Sequence, residues 1–241
     1  MQPLQADHKT YTPEDNIASS NMTFKYAEKL IGGLSKPSKM PWYSWSTPAE
    51  KCITGSKLRQ VENSTCSSCY ALKGCYVFPV VQEALERRFS AIDHPKFEEA
   101  FTLVLSTLYK RGRKTYLQDG KSVKENRFRW HDSGDIQSVK HLVAINNIAK
   151  NTPFLDHWLP TREAGFVKEF LDNGNKLAPN LTLRISATMI GQNYKKRPMD
   201  LPYSTVDVPE LQQCVAYQQE GKCLDCRACW DQDKDINYPL H

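Results

Sequence analysis

Eight cysteines fall into two sets of four: Cys52, Cys66, Cys69 and Cys75, then Cys214, Cys223, Cys226 and Cys229. In the second set, three of them follow one another at two-residue gaps. Thiolates on short loops of this kind converge on one metal ion or on an iron–sulfur cluster, so all eight are candidate metal ligands. Four ligands close a structural site, whereas three leave an open position of the sort a catalytic centre uses. The spacing leaves open which case applies to the first set, and whether iron–sulfur or zinc is held. Cys66-Ser67-Ser68-Cys69 taken alone also fits a redox dithiol. A disulfide framework is the weaker alternative, because the first residues lack the apolar run of a signal peptide and a reducing, cytoplasmic setting is expected.

A second group of chemistry-bearing residues has no cysteine in it. His131-Asp132-Ser133-Gly134-Asp135-Ile136-Gln137 places an imidazole beside two carboxylates. Histidine titrates near neutrality and a neighbouring carboxylate tunes it, so His131, Asp132 and Asp135 are candidate acids and bases. The plainer alternative is a loop in which Asp132 and Ser133 cap the next helix. Thr161-Arg162-Glu163 offers a guanidinium for a phosphate or carboxylate and an acid beside it. It also reads as an ordinary helix start, with Glu163 in the first turn. Ser133, Gln137, Thr161 and Ser186 are candidate substrate contacts.

These residues need a scaffold, and the hydrophobic pattern supplies one. Trp42 to Ser46 alternates as a strand. Thr47-Pro48-Ala49-Glu50 has the pattern of a capping box with proline at the first helical position. Helical spacing recurs over 24–31, 80–91 and 97–109. Strands are expected at 128–131, 156–159 and 181–186. Between them lie a helix over 139–149 capped by Ser138 and another over 163–171 that stops at Asn173-Gly174. That βαβαβ order implies parallel strands with right-handed crossovers. A further strand over 114–117 would bring the total to five or six, too few for a closed eight-fold barrel. The expected fold is α/β: a partial barrel or an open parallel sheet, followed by a cysteine-rich metal-binding C-terminal segment. Residues 1–38 read as a loose arm, 39–208 as the α/β domain and 209–241 as the metal-binding tail. Parallel folds place ligands beyond the C-terminal strand ends, where the polar clusters fall.

Of the 241 residues, 40% are hydrophobic and 24% charged, which fits a globular domain. No apolar stretch is long enough to span a membrane. The formal charge of +5 invites a nucleic-acid partner, but thiolates bound to metal would offset much of it. Local basic runs at 110–114, 121–129 and 195–197 carry that expectation; each also fits a solvated surface. Oligomeric state is not legible.

Taken together, the motifs resemble a known family. The runs RWHDSGD at 129–135, HWLPTRE at 157–163, Pro179-Asn180-Leu181 with Arg184-Ile185-Ser186, and GKCLDCRACW at 221–230 resemble the phage gene product 88 family. The CxxCYAxKG stretch from Cys66 and the ending YPLH fit it as well. This resemblance implies a phage, prophage or plasmid origin. Cys-x-x-Cys-Tyr is also similar to the cluster loop of radical S-adenosylmethionine enzymes, which implies a partial barrel, a four-iron cluster and S-adenosylmethionine as a cofactor. Asp132-Ser133-Gly134-x-x-Gln137 is similar to a base-binding motif of tRNA-guanine transglycosylases, which implies zinc and base exchange. The leading expectation is an iron–sulfur enzyme acting on a nucleotide or nucleic-acid base, with Cys52, Cys66 and Cys69 holding the cluster. The alternatives are a zinc-containing transglycosylase-like enzyme, a zinc-stabilised nucleic-acid-binding or host-takeover protein, and a ligand-free interaction module.

Overall fold

A computed structural model describes residues 11–240. In chain order the elements are α1 (Pro13–Ser19), α2 (Phe24–Leu30), β1 (Ser44–Trp45), α3 (Ile53–Leu58), α4 (Pro79–Ala91), α5 (Phe97–Arg111), β2 (Thr115–Gln118), β3 (Lys121–Lys124), β4 (Arg127–Trp130), α6 (Val139–Asn151), β5 (Asp156–Thr161), α7 (Ala164–Asp172), β6 (Leu181–Ser186), β7 (Tyr203–Val206), β8 (Gln212–Gln213) and β9 (Ile236–Tyr238). Seven strands form one sheet in the order β1-β4-β5-β6-β7-β9-β8, and every neighbouring pair is parallel. β1 and β8 are its two edges, so the sheet is open. The expected strand at 114–117 forms as β2, but it pairs only with β3 in a separate antiparallel hairpin. Its Asp119-Gly120 turn has φ of 50° and 74°, the tight geometry that suits a two-residue hairpin.

Strand order rises along the sheet from β1 to β9, so the successive right-handed crossovers put their helices on the same face. Side-chain alternation confirms which face that is. Phe128, Trp130 and Leu159 point into the core with Phe97, Phe101 and Leu142. Arg129 and its register partner Trp158 point the other way, as do Thr182 and Arg184. Parallel sheets need cover on both faces, and here the chain's own C-terminal segment covers the second. Trp230 packs edge-on to Trp158 with ring centroids 5.2 Å apart and donates its indole N–H to the Phe128 carbonyl at 2.9 Å. Arg184 is fully buried. Its guanidinium donates to the carbonyls of Tyr203 (3.0 Å), Lys234 (2.6 Å) and Asp231 (3.0 Å). A buried cation is costly unless it is hydrogen-bonded, and these bonds from its terminal nitrogens to Lys234 and Asp231 tie the tail to the sheet.

Local signals decide the ends of the elements. Ser138 caps α6 by accepting from the His141 N–H at 3.1 Å. α7 ends at Asn173-Gly174, with Gly174 at φ 78° and its N–H on the Leu171 carbonyl at 2.9 Å. The capping box expected at Thr47 is not built. Ala49–Lys51 makes only a 3-10 turn with Pro48 before it and no side-chain cap. Thr47 is instead buried, with its N–H on the Ser133 carbonyl. In the segment read as a loose arm, residues 1–10 lie outside the described residues, while α1 and α2 pack against α5. A capping box of Thr12 and Asp15 starts α1. Asn16 anchors it through its amide, which donates to Ser106 Oγ at 3.0 Å and the Asn151 carbonyl at 2.7 Å. The segment read as the tail contributes β8 and β9 to the main sheet.

Candidate functional site

A cavity of about 450 Å³ opens at the C-terminal ends of β1, β4, β5, β6, β7 and β9, on the face without helices. Its volume suits a nucleotide-sized ligand. Cys52, Cys66 and Cys69 line it; Cys75 does not and is exposed. Cys52 leads directly into α3. Cys66 and Cys69 sit on a turn in which the Cys69 N–H donates to the Cys66 carbonyl at 3.3 Å. That turn is stitched to the chain after β6, because the Thr65 N–H donates to the Thr188 carbonyl and the Ile190 N–H to the Asn63 carbonyl, both at 2.9 Å. Gly55 leaves room between two of the thiols. A Cβ placed there would lie 2.9 Å from Cys52 Cβ and 3.6 Å from the sulfurs of both Cys52 and Cys66. Burial pushes the Cys52 thiol up, helped by the charges of Asp135, Cys69 and Cys66. Burial also raises Cys66, and the nearby Arg162 guanidinium opposes it.

Glu163 explains how this loop is held. Its carboxylate accepts from the backbone N–H of Ile53 (3.2 Å) and Thr54 (2.7 Å) and from the Thr54 hydroxyl (2.6 Å). A carboxylate at the first N–H groups of a helix satisfies donors that have no partner within it. Glu163 therefore caps α3 and fixes the position of Cys52; it does not line the cavity. Thr161 and Gln137 are likewise outside it. The Thr161 hydroxyl donates to Asp135 Oδ1 at 2.6 Å, and the Gln137 amide donates to the Asp135 carbonyl at 2.7 Å. Those three residues, expected on chemical grounds to meet a substrate, hold the loops that surround it.

His131, Asp132, Ser133, Asp135, Arg162 and Ser186 do line the cavity. His131 ends β4 in a left-handed conformation, φ 53°, and Gly134 follows at φ 73°. Only glycine fits at 134, since a Cβ would come within 2.0 Å of Thr47 Oγ1. The His131 ring is edge-on to Trp45 and His141. Neither of its nitrogens has a hydrogen-bond partner among the described residues. Burial, then His141, hold its pKa well below the ordinary value, so it is a neutral imidazole. Asp132 accepts from Ser44 (3.3 Å) and Tyr76 (3.1 Å), while its carbonyl accepts from the Tyr70 hydroxyl. Asp135 accepts from Thr161, from the Ile136 N–H at 2.8 Å and from the Arg162 N–H at 2.9 Å. Burial outweighs those bonds and lifts its pKa to about 6, within the range of a group that exchanges protons near neutrality.

The sequence reading missed Arg129 as a site residue. It lines the cavity and lies over the Trp158 ring at 4.5 Å. A charged residue inside a strand of a covered parallel sheet was the available signal.

Cys214, Cys223, Cys226 and Cys229 gather on the tail. Burial raises the Cys214 thiol, with the nearby Cys226 adding to it, and Cys214 and Cys223 lie within electrostatic reach of Cys229. Cys229 Sγ is 3.4 Å from Tyr238 Oη, and burial pushes its thiol up to about 12. All eight cysteines are free thiols. Among the described residues, no three His, Cys, Asp or Glu side chains form a group tight enough to hold a single metal ion.

Fold and site together define an α/β protein with an open parallel sheet whose helix-free face carries a thiol-rimmed, arginine-bearing cavity. The chain belongs to the gene product 88 family, whose sequence profile matches residues 9–232. No curated protein and no solved structure matches it. Among the described residues, no helix is long and apolar enough to cross a membrane.

Proposed function

We propose that this is a phage- or mobile-element-encoded iron–sulfur enzyme of the host cytoplasm, acting on a nucleotide or nucleic-acid base in the cavity. The observation that carries this reading is that Cys52, Cys66 and Cys69 line one cavity while Cys75 lies outside it and is exposed. Three thiols leave one coordination position for a substrate or for S-adenosylmethionine. The donor set fits a cluster better than zinc. A tetrahedral zinc needs its sulfurs within about 2.3 Å of a common point, and no such group forms. A cluster attaches each thiolate to a different iron and accepts wider spacing. When bound, it would supply electrons to the substrate. The chain's own groups then bind, orient and exchange protons: Arg162 meets an anionic part, Asp135 holds or gives up a proton near neutrality, and Tyr70 and Asp132 shape the mouth. By the same spacing argument, the four tail thiols would hold a second cluster rather than zinc, as a clasp.

Anaerobic purification of the full chain, with iron, acid-labile sulfide and zinc measured beside a visible spectrum, tests this directly. A brown protein that loses its rim iron in Cys52→Ala, Cys66→Ala and Cys69→Ala, and keeps it in Cys75→Ala, is the expected result. A colourless protein with stoichiometric zinc would replace this reading with a zinc-dependent, transglycosylase-like one.

A further inference from the structure

We propose that the cavity binds a phosphomonoester, such as a nucleoside monophosphate, with its phosphate held between Arg129 and Arg162. The starting point is how differently the arginines of this molecule are employed. Arg227 pairs with Glu125 at 2.5 Å, Arg197 with Asp235 at 3.0 Å and Arg127 with Asp156 at 3.0 Å. Arg184 spends its terminal N–H groups on backbone carbonyls. Arg129 and Arg162 break that pattern, for neither forms an ion pair among the described residues. The Arg129 Nε is buried without a partner, as are those of Arg127, Arg184 and Arg227; what sets Arg129 apart is that its side chain's one hydrogen-bond contact among the described residues is Met40 Sδ, 3.6 Å from Nη1. Arg162 commits its Nε to Thr65 Oγ1 at 2.9 Å.

Both side chains line the same cavity. The Tyr70 hydroxyl lies within electrostatic reach of each guanidinium. Arg162 stands near Cys66, and Arg129 has Asp132, Tyr238 and Cys229 within electrostatic reach. Asp132 lies within electrostatic reach of Arg129, but neither it nor Asp135 forms an ion pair with either guanidinium among the described residues. Asp135 spends its oxygens on Thr161 and two backbone N–H groups, and Asp132 on Ser44 and Tyr76. An unpaired cation taken out of water is costly, and an arriving anion removes that cost. A guanidinium matches phosphate oxygens with two parallel N–H bonds. Trp158 fixes the plane of Arg129 from below, and Ser186 and Ser204 bring hydroxyls to the same wall.

Only the nucleotide class rests on the function proposed above; the anion site itself needs no metal. The test is calorimetric titration of the full chain, as purified anaerobically and after chelation. The probes are the four ribonucleoside 5′-monophosphates, the matching nucleosides, inorganic phosphate and succinate. At least one monophosphate should bind about tenfold or more tightly than its nucleoside, and Arg129→Gln should weaken it by about tenfold or more. Arg129→Lys should fall between, since the charge stays and the fork is lost. Melting temperatures guard against misfolding; should Arg129→Gln fail to fold, Arg129→Lys and Arg162→Gln carry the test with the same expected weakening. Equal binding of monophosphates and nucleosides, succinate matching phosphate, no binding at all, or affinity unchanged in the arginine variants would each overturn the proposal. Iron and sulfide content of the same samples reports separately on the cluster, so either idea can fail alone.

Discussion

The two cysteine sets are held in opposite ways. Cys52, Cys66 and Cys69 hang on loops that face an open cavity, and their support comes from outside, through Glu163 under α3 and the strand-end chain at 187–190. The tail set lies within a segment fastened at many points. The Cys214 N–H donates to the Asn237 carbonyl at 2.8 Å and the Cys223 N–H to the Lys39 carbonyl at 3.1 Å. Asp225 accepts from the Leu117 N–H of the hairpin at 3.2 Å. Arg227 lies over the Tyr116 ring and pairs with the fully buried Glu125. Two sets of four cysteines thus occupy different settings: one set lines a cavity with three of its thiols, and the other lies in the segment that completes the cover of a sheet.

The broadest way to break this contrast is acid. Burial holds His141 and His157 at about 3 and depresses His131 as well, and all three lie under the rim or in the sheet core. The unfolded imidazole takes its proton near 6.5, so stability falls as pH drops below that value and the loss is complete near 3. Asp135 works the other way. Its folded pKa of about 6 lies above the unfolded value, so its protonation favours the folded form as pH falls through 6. Three imidazoles outweigh one carboxyl, and unfolding free energy should drop by on the order of 4 kcal/mol between pH 7 and pH 5. Hydrogen exchange should rise around 52–69 and 131–137 before it rises in 214–238. A flat unfolding free energy over that window would contradict the neutral, buried state of these rings.

A cut confined to the tail comes next. Glu125→Ala leaves Arg227 buried and unpaired, a change that costs about 3–5 kcal/mol. The hairpin and tail should loosen, read by hydrogen exchange at 115–125 and 223–230, while iron bound at the rim stays. Rim iron lost in step with the tail would mean that the two cysteine sets form one unit.

Much of this architecture was legible beforehand, and the failures have physical causes. Three parallel strands and their helices followed from alternation and 3.6-residue spacing, and Ser138 and Gly174 marked helix ends through their own chemistry. Glu163 reads from sequence either as a candidate acid or as a first-turn residue of its own helix, and neither reading anticipates where its carboxylate binds. Its true partner is another helix start 110 positions earlier. The exposed place of Cys75, off the cavity, was not legible because spacing does not say where a loop turns. Arg129 went unread because its value depends on having no counter-ion, and the lack of a partner is visible only once the fold has placed every carboxylate. β8 and β9 were hidden by their shortness: two and three residues carry no period to detect.

Glu163 gives a smaller and more local effect than Glu125. Glu163→Ala removes the cap of α3 and should cost about 1–2 kcal/mol, with rim iron falling and tail metal unchanged. Glu163→Gln keeps an oxygen for the Ile53 and Thr54 N–H groups and should retain most of both. Equal iron in wild type and Glu163→Ala would show that Cys52 needs no such support.

Cys75→Ser should change least. The thiol is exposed and lies outside the cavity, so nothing packed or hydrogen-bonded is lost, and stability should move by less than about 0.5 kcal/mol. The same replacement at Cys66, which is 8% exposed, buries a hydroxyl where the thiol was and removes a rim sulfur. Measured side by side, the two variants divide the first cysteine set by function. Iron content unchanged at 75 and lost at 66 keeps three ligands on the rim. Iron lost at both would make the first set a closed four-thiol site, and the open position assigned to a substrate would have to be abandoned.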